Sequence, residues 1–155
     1  DPQLNWGDVE WIKKRWGGKL ILKGIMDAED ARLAVNSGAD ALIVSNHGGR
    51  QLDGAPSSIA ALPAIAEAVG KDIEVWMDGG IRSGQDVLKA RALGARGTLI
   101  GRSFLYGLGA YGEAGVTRAL QIIQKELDIT MAFCGYTNIN TVDRGILLPG
   151  TYPLA

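Results

Sequence analysis

Cysteine and histidine are nearly absent from this chain. Among 155 residues there is one of each, Cys134 and His47. That scarcity excludes an internal disulfide and any zinc cluster of cysteines and histidines, so no metal site is expected and a reducing compartment fits best. Charge of one sign is also lacking. Sixteen basic residues face seventeen acidic ones, for a formal net charge of −1, so no field is available to hold a polyanion and nucleic acid is not an expected partner. Apolar runs of the ~20 residues needed to span a bilayer are missing, as is a signal-peptide pattern. The chain opens "DPQLNW" without methionine, the expected look of an excised or processed piece. What is present is a globular composition, 46% hydrophobic and 21% charged. Residues 1–155 read as one domain, long enough to bury roughly 68–70% of the unfolded surface.

Short β-branched runs alternate with longer helical patterns. "LILKGI" (20–25), "ALIVSN" (41–46), "IEVWMDGG" (73–80) and "GTLIGR" (97–102) are continuous rather than alternating, which predicts parallel strands buried on both faces. Between them, 27–38 has an Asp27 cap, acids in the first turn and a stop at Gly38, and 83–94 repeats that grammar from Ser83 to Gly94. In "PSSIAALPAIAEAVG", Pro63 suits a first turn better than an interior, so a short turn is expected before that helix. "GDVEWIKKRWGG" predicts an amphipathic helix upstream and 112–135 a terminal helix, followed by a loop-like tail over 136–155.

"SGADALIVSN" and "LGARGTLIGR" repeat one unit, from helix stop through Gly-Ala to strand and polar loop. Four such βα units predict an α/β fold resembling half of an eight-stranded (β/α) TIM barrel, with a doubly wound sheet as the rival. The barrel is favoured because every strand delivers a polar or glycine-rich cluster to the same end: Lys23-Gly24, Ser45 to Arg50, Asp78 to Arg82, and Gly101-Arg102. Its inner face is expected to carry Leu22, Ile43, Val75 and Leu99, or their neighbours.

Each cluster has a chemical and a bland reading. In "DGGIRSG" the glycines Gly79 and Gly80 let backbone N–H groups approach an anion, Arg82 can fork onto its oxygens, and the next helix presents its positive end. The bland alternative is a tight turn with a solvated arginine. A second Gly-Arg pair, Gly101-Arg102, on the neighbouring strand favours a barrel phosphate site. Lys23, ending an apolar strand, needs a compensating partner, either solvent reached by snorkelling or an electron-rich group of a cofactor. His47 alone would be an ordinary loop histidine, but with Arg50 three residues on it pairs a base near neutral pH with a carboxylate clamp. Ser45 and Asp78 are either caps or members of that mouth.

"LKGI", "VSNHGGRQLDG", "DGGIRSGQDVLKA.ALGA" and "IGRSFLYGL..GEAGV" resemble the C-terminal half of the FMN-dependent α-hydroxy acid oxidase and dehydrogenase family. The resemblance runs from Asp1 to about Gly135, and "NWGDVEWI", "KGIMDAEDA" and "SSIAALPAIAEAV" are most similar to its bacterial L-lactate dehydrogenases. It implies FMN as cofactor, His47 as the base and a substrate contact, and Arg50 as the substrate-carboxylate ligand. Lys23 would face the flavin N1/O2 edge and Ser45 would be a flavin contact. Asp78, Gly79, Gly80, Ile81 and Arg82 would hold ribityl and phosphate, with Gly101 and Arg102 completing the phosphate site.

In that family the first four barrel strands supply further flavin contacts, two tyrosines, a second arginine and the acid pairing with the histidine, and nothing before Lys23 matches them. The expectation is therefore FMN-dependent oxidation of a small L-2-hydroxy acid, L-lactate first, by a protein of which this chain is half. Alone it should be inactive, and its partner should be the N-terminal half of the barrel or a second copy. The alternatives are a non-catalytic FMN- or phosphate-binding half barrel that self-associates, and another phosphate barrel enzyme of the IMP dehydrogenase kind, which the His47/Arg50 pair disfavours. Oxygen, quinone and cytochrome stay open as electron acceptors. A cytoplasmic place is expected, with a peripheral one on the inner membrane as the other option.

Overall fold

In the computed structural model, residues 3–152 are described. Helix α1 (Trp6–Trp16) starts at a capping box in which Asn5 and Asp8 satisfy each other's backbone N–H groups, and stops at Gly17 in the left-handed region. Strand β1 (Ile21–Ile25) leads to α2 (Ala28–Asn36), capped by Asp27, and then to β2 (Ala41–Val44). A 3₁₀ turn at His47–Gly49 precedes α3 (Ser58–Val69), β3 (Glu74–Met77), α4 (Gly84–Ala92) and β4 (Gly97–Thr98). The chain then forms α5 (Arg102–Phe133), broken at Tyr111 and Gly112, and two 3₁₀ turns, Ile139–Thr141 and Arg144–Ile146. Val142 of that tail is buried against Leu88 and Ala92 of α4.

The four strands are parallel and ordered β1-β2-β3-β4, without the reversal that marks a doubly wound sheet. Coverage is one-sided. Leu42, Val44, Val75 and Met77 form a single core with Ala31 of α2, Leu62, Ile65 and Val69 of α3, and Ala90 of α4. Only β2 is buried throughout; Ile21 of β1 is 44% exposed and Glu74 of β3 lies open. The expectation of strands buried on both faces thus holds for β2 alone, because the helices of this chain cover one side of an arc. The pairing also corrects the expected inner face. Leu22 registers with Leu42 and Val75 on the helix side, whereas Lys23 registers with Ile43, Trp76 and Gly97 on the open side.

Three further differences have local causes. Pro63 lies inside α3, with no separate turn before it. It removes one bond, to the Ile59 carbonyl, and burial of Pro63 beside Leu62 and Ile65 in the packed face of the helix offsets that loss. Strand β4 is two residues rather than six; beyond Thr98 only Leu99 N still donates to β3, at the Met77 carbonyl. The terminal helix gains an earlier arm, 102–110, that folds back on 113–133 where Gly112 takes φ 59°.

Candidate active site

Residues just past the strands converge on the open side. Lys23 Nζ donates to Ser45 Oγ at 2.8 Å and lies 2.9 Å from Asp78 Oδ2. Strand pairing sets this arrangement: Asp78 N donates to the Val44 carbonyl, which places Asp78 beside Ser45 at the ends of adjacent strands. Asp78 Oδ1 is buried without a hydrogen-bond partner among the described residues. An orphaned buried acceptor costs about 1–3 kcal/mol and calls for a donor from outside the described residues.

His47 sits above this cluster in a left-handed conformation, φ 56°, the only described non-glycine residue with positive φ. Such a backbone costs about 1–2 kcal/mol and is held by its surroundings. His47 N donates to Ser45 Oγ, so one hydroxyl receives both the Lys23 ammonium and the His47 amide. The imidazole leans on Gly24, where β1 skips a residue in its pairing; a methyl group there would come within 2.9 Å of His47 Cε1. Arg50 ends the same 3₁₀ turn and is exposed. Among the described residues its guanidinium carries no hydrogen bond or ion pair, and none joins it to His47.

Gly79 and Gly80 adopt φ 88° and 81°, leaving the third strand end as a glycine turn, and Ile81 anchors it in the core at 4% exposure. Here the anion-binding expectation needs correcting at the helix. The N-terminus of α4 is already filled by carboxylates: Asp86 Oδ2 accepts from Arg82 N, Ser83 N and Ser83 Oγ, and Glu126 Oε2 accepts from Gly84 N. The next helix differs. Gly101 gives α5 no side-chain cap, so the first amides of α5 keep no side-chain partner at that position. Ser103 Oγ donates to the Ile81 carbonyl at 3.0 Å, which joins that uncapped end to the glycine turn. Arg82 and Arg102 are both exposed; Arg102 Nη2 donates to the Gly48 carbonyl at 3.4 Å, whereas the Arg82 guanidinium makes no hydrogen bond or ion pair among the described residues.

The structure thus brings together Lys23, Ser45, His47, Asp78 and Gly79, and ties Arg102 to the His47 loop. It leaves Arg50 and Arg82 projecting separately. Sequence reasoning passed over Asn46, Ser58, Asp86, Glu126 and Ser103. Only Asp86 had a legible signal, the Ser83-x-x-Asp86 capping spacing. The others act across elements that are far apart in the chain.

An orphaned carboxylate acceptor beside an ammonium, two glycines with positive φ and an uncapped helix end form a polar set suited to a polyhydroxylated phosphate ester. The profile of the FMN-dependent dehydrogenases matches residues 1–149. The chain belongs to this family. It is 53% identical over 147 residues to the L-lactate dehydrogenase of Caulobacter vibrioides, covering 95% of this chain and 38% of that protein. The L-lactate dehydrogenase of Azorhizobium caulinodans is 53% identical over 148 residues, 96% of this chain and 39% of its own length. Among solved structures, a monotopic membrane protein, (S)-mandelate dehydrogenase, superposes with a TM-score of 0.89 at 42% identity, over 92% of this chain and 38% of that one. A mandelate oxidase gives 0.87 at 45% identity, over 91% and 43%, and a variant of it was solved with an FMN adduct. The chain of this FMN-dependent dehydrogenase family member therefore spans about two fifths of the length of the relatives it matches. Its four parallel strands are part of the (β/α)8 barrel, and the polar set at their ends fits FMN.

Proposed function

We propose that the complete protein oxidises a small L-2-hydroxy acid, L-lactate first, to the 2-oxo acid. The observation that carries this reading is the Lys23–Ser45–Asp78 cluster, with its unpartnered Oδ1, lying beside His47 at three adjacent strand ends. FMN, when bound, accepts the two electrons of the oxidation. His47 takes the proton from the substrate and contacts it, and Arg50 clamps the substrate carboxylate. Lys23 supports negative charge on the electron-rich edge of the ring and Ser45 contacts the ring. Asp78 holds the ribityl chain. Gly79, Gly80, Ile81 and Arg82 hold ribityl and phosphate, and Gly101 with Arg102 closes the phosphate site.

Partner and place follow from the same reading. The N-terminal half of the barrel supplies the remaining contacts, and the chain without it is inactive. A cytoplasmic or peripheral membrane location is proposed; among the described residues no helix is long and apolar enough to cross a membrane. One observation favours a second reading, a non-catalytic flavin- or phosphate-binding half barrel that pairs with another copy: the open face carries Ile21, Lys23 and Trp76 without helices over them.

The visible spectrum and rapid kinetics of the purified protein test both. Bound flavin that bleaches on mixing with L-lactate, in the protein completed by its N-terminal half, is expected. Bound flavin that no 2-hydroxy acid reduces would leave the binding module, and a colourless protein unable to take up added FMN would sink both.

A further inference from the structure

We propose that Asn46 and Ser58 are positioning residues for His47, holding its imidazole through the backbone of the loop without touching substrate; this rests on the reading of His47 as the base. Ser58 is the first residue of α3 and only 2% exposed. A serine there ordinarily serves its own helix or faces water. Instead Ser58 Oγ accepts from Asn46 N at 3.1 Å and donates to Asn46 Oδ1 at 3.5 Å. The Asn46 side chain then spans the loop: Oδ1 accepts from Gly48 N at 3.0 Å and Nδ2 donates to the Pro56 carbonyl at 3.2 Å. The Asn46 carbonyl accepts from Gly49 N at 3.0 Å. His47, between these fixed points, is left in its positive-φ conformation with its ring against Gly24.

The same pair also touches the glycine turn. A methyl group on Gly79 would come within 3.0 Å of Ser58 Oγ and 3.2 Å of Asn46 Oδ1. One hydroxyl on a helix end therefore sets the His47 loop and abuts the backbone next to Asp78. The position demands a group that accepts and donates at once, which serine and threonine supply and alanine does not. At Asn46 the amide is needed whole, since a carboxylate loses the donor to Pro56.

The test uses the holoenzyme completed by its N-terminal half, with stopped-flow flavin reduction, KM, flavin content and melting temperature measured together. Ser58→Ala should slow reduction by about 10- to 100-fold, the scale of a misplaced reacting group, with KM within about twofold and flavin content unchanged. Ser58→Thr should recover most of the rate, and Asn46→Asp should be slow in the same way. The double variant Ser58→Ala/Asn46→Asp should be no slower than the slower single one, because both act through one loop geometry. Wild-type rates in Ser58→Ala and Asn46→Asp would overturn the inference, as would flavin loss and a fallen melting temperature in step with the rate and no rescue by threonine. His47→Ala run in parallel separates the two layers. Near-normal reduction there would remove the base reading itself, whereas a slow His47→Ala beside fast Ser58→Ala would remove only the positioning role.

Discussion

The sheet has an aspartate–lysine cluster at each end, and the two are built differently. At the end where the strands begin, Asp40 binds Lys13 and Lys19 and accepts from Leu20 N at 2.8 Å, so both of its oxygens are engaged. At the end where the strands finish, Asp78 uses one oxygen on Lys23 and buries the other without a partner. The first cluster ties α1 to the strands and is complete within the chain. The second is incomplete, and it lies beside the one strained non-glycine backbone among the described residues. One unsatisfied oxygen and one strained backbone lie together at the end of the parallel sheet where the sites of barrels open.

Substitutions at the two ends should separate these roles. His47→Ala should have the largest effect, slowing flavin reduction by roughly 10²–10⁴-fold or more, the range for a positioned acid–base group, while flavin stays bound. Stopped-flow traces close to wild type would reject the assignment. Asp78→Asn comes next. Losing a charged acceptor should weaken FMN binding by about 10- to 100-fold, matching about 1.5–3 kcal/mol for a hydrogen bond to a charged group. Fluorescence titration with FMN reads this, and unchanged affinity would detach Asp78 from the cofactor. Arg50→Lys should raise KM by about tenfold with flavin content intact, since a point charge replaces a planar fork. Unaltered steady-state constants would place Arg50 outside the substrate site.

At the opposite end the effect should be on stability alone. Hydrogen bonds from Lys13, then Lys19, then Leu20 N–H hold the Asp40 carboxyl well below the usual carboxylate range. A depressed carboxyl stabilises the fold fully above its unfolded value of about 3.9, and that support drains away as pH falls below it toward the folded value. Asp40→Asn should therefore melt earlier than wild type at pH 7, with the gap narrowing between pH 4 and pH 2. FMN affinity should stay within about twofold, as for independent distant sites. A gap that widened in acid would contradict the sign.

Much of this comparison was legible in the sequence. Polar residues past each apolar run put Lys23, Ser45, His47 and Asp78 at one end of the sheet, where the structure has them together, and Asp27, Ser83 and the glycine stops set α2 and α4. What stayed hidden depends on register and on contacts between separated segments. A continuous apolar run gives no sign of which side is covered, so at β1 and β3 the inner face falls to Lys23 and Trp76, the neighbours of Leu22 and Val75. Pro63 carries a local penalty that only tertiary burial overrides. Asn46 and Ser58 are twelve residues apart, on a loop and a helix end, and nothing local announces that they meet. The sequence around Ser83 reads as a helix end open to an anion, whereas Glu126, forty-two residues beyond Gly84, caps it.

The two arms of α5 cross with no side chain between them. A methyl group on Gly115 would lie 1.9 Å from the Gly107 carbonyl oxygen, and one on Gly107 would lie 2.4 Å from the carbonyl oxygen of Gly115. The later arm makes the same kind of approach to α4, where a methyl group on Gly84 would lie 2.0 Å from Leu127 N. In a library of random variants these three positions should therefore behave as a linked intolerant set. Even alanine at any one of them would pry the arms apart and re-aim the uncapped start of α5, although most of the surrounding surface of that helix is free to drift.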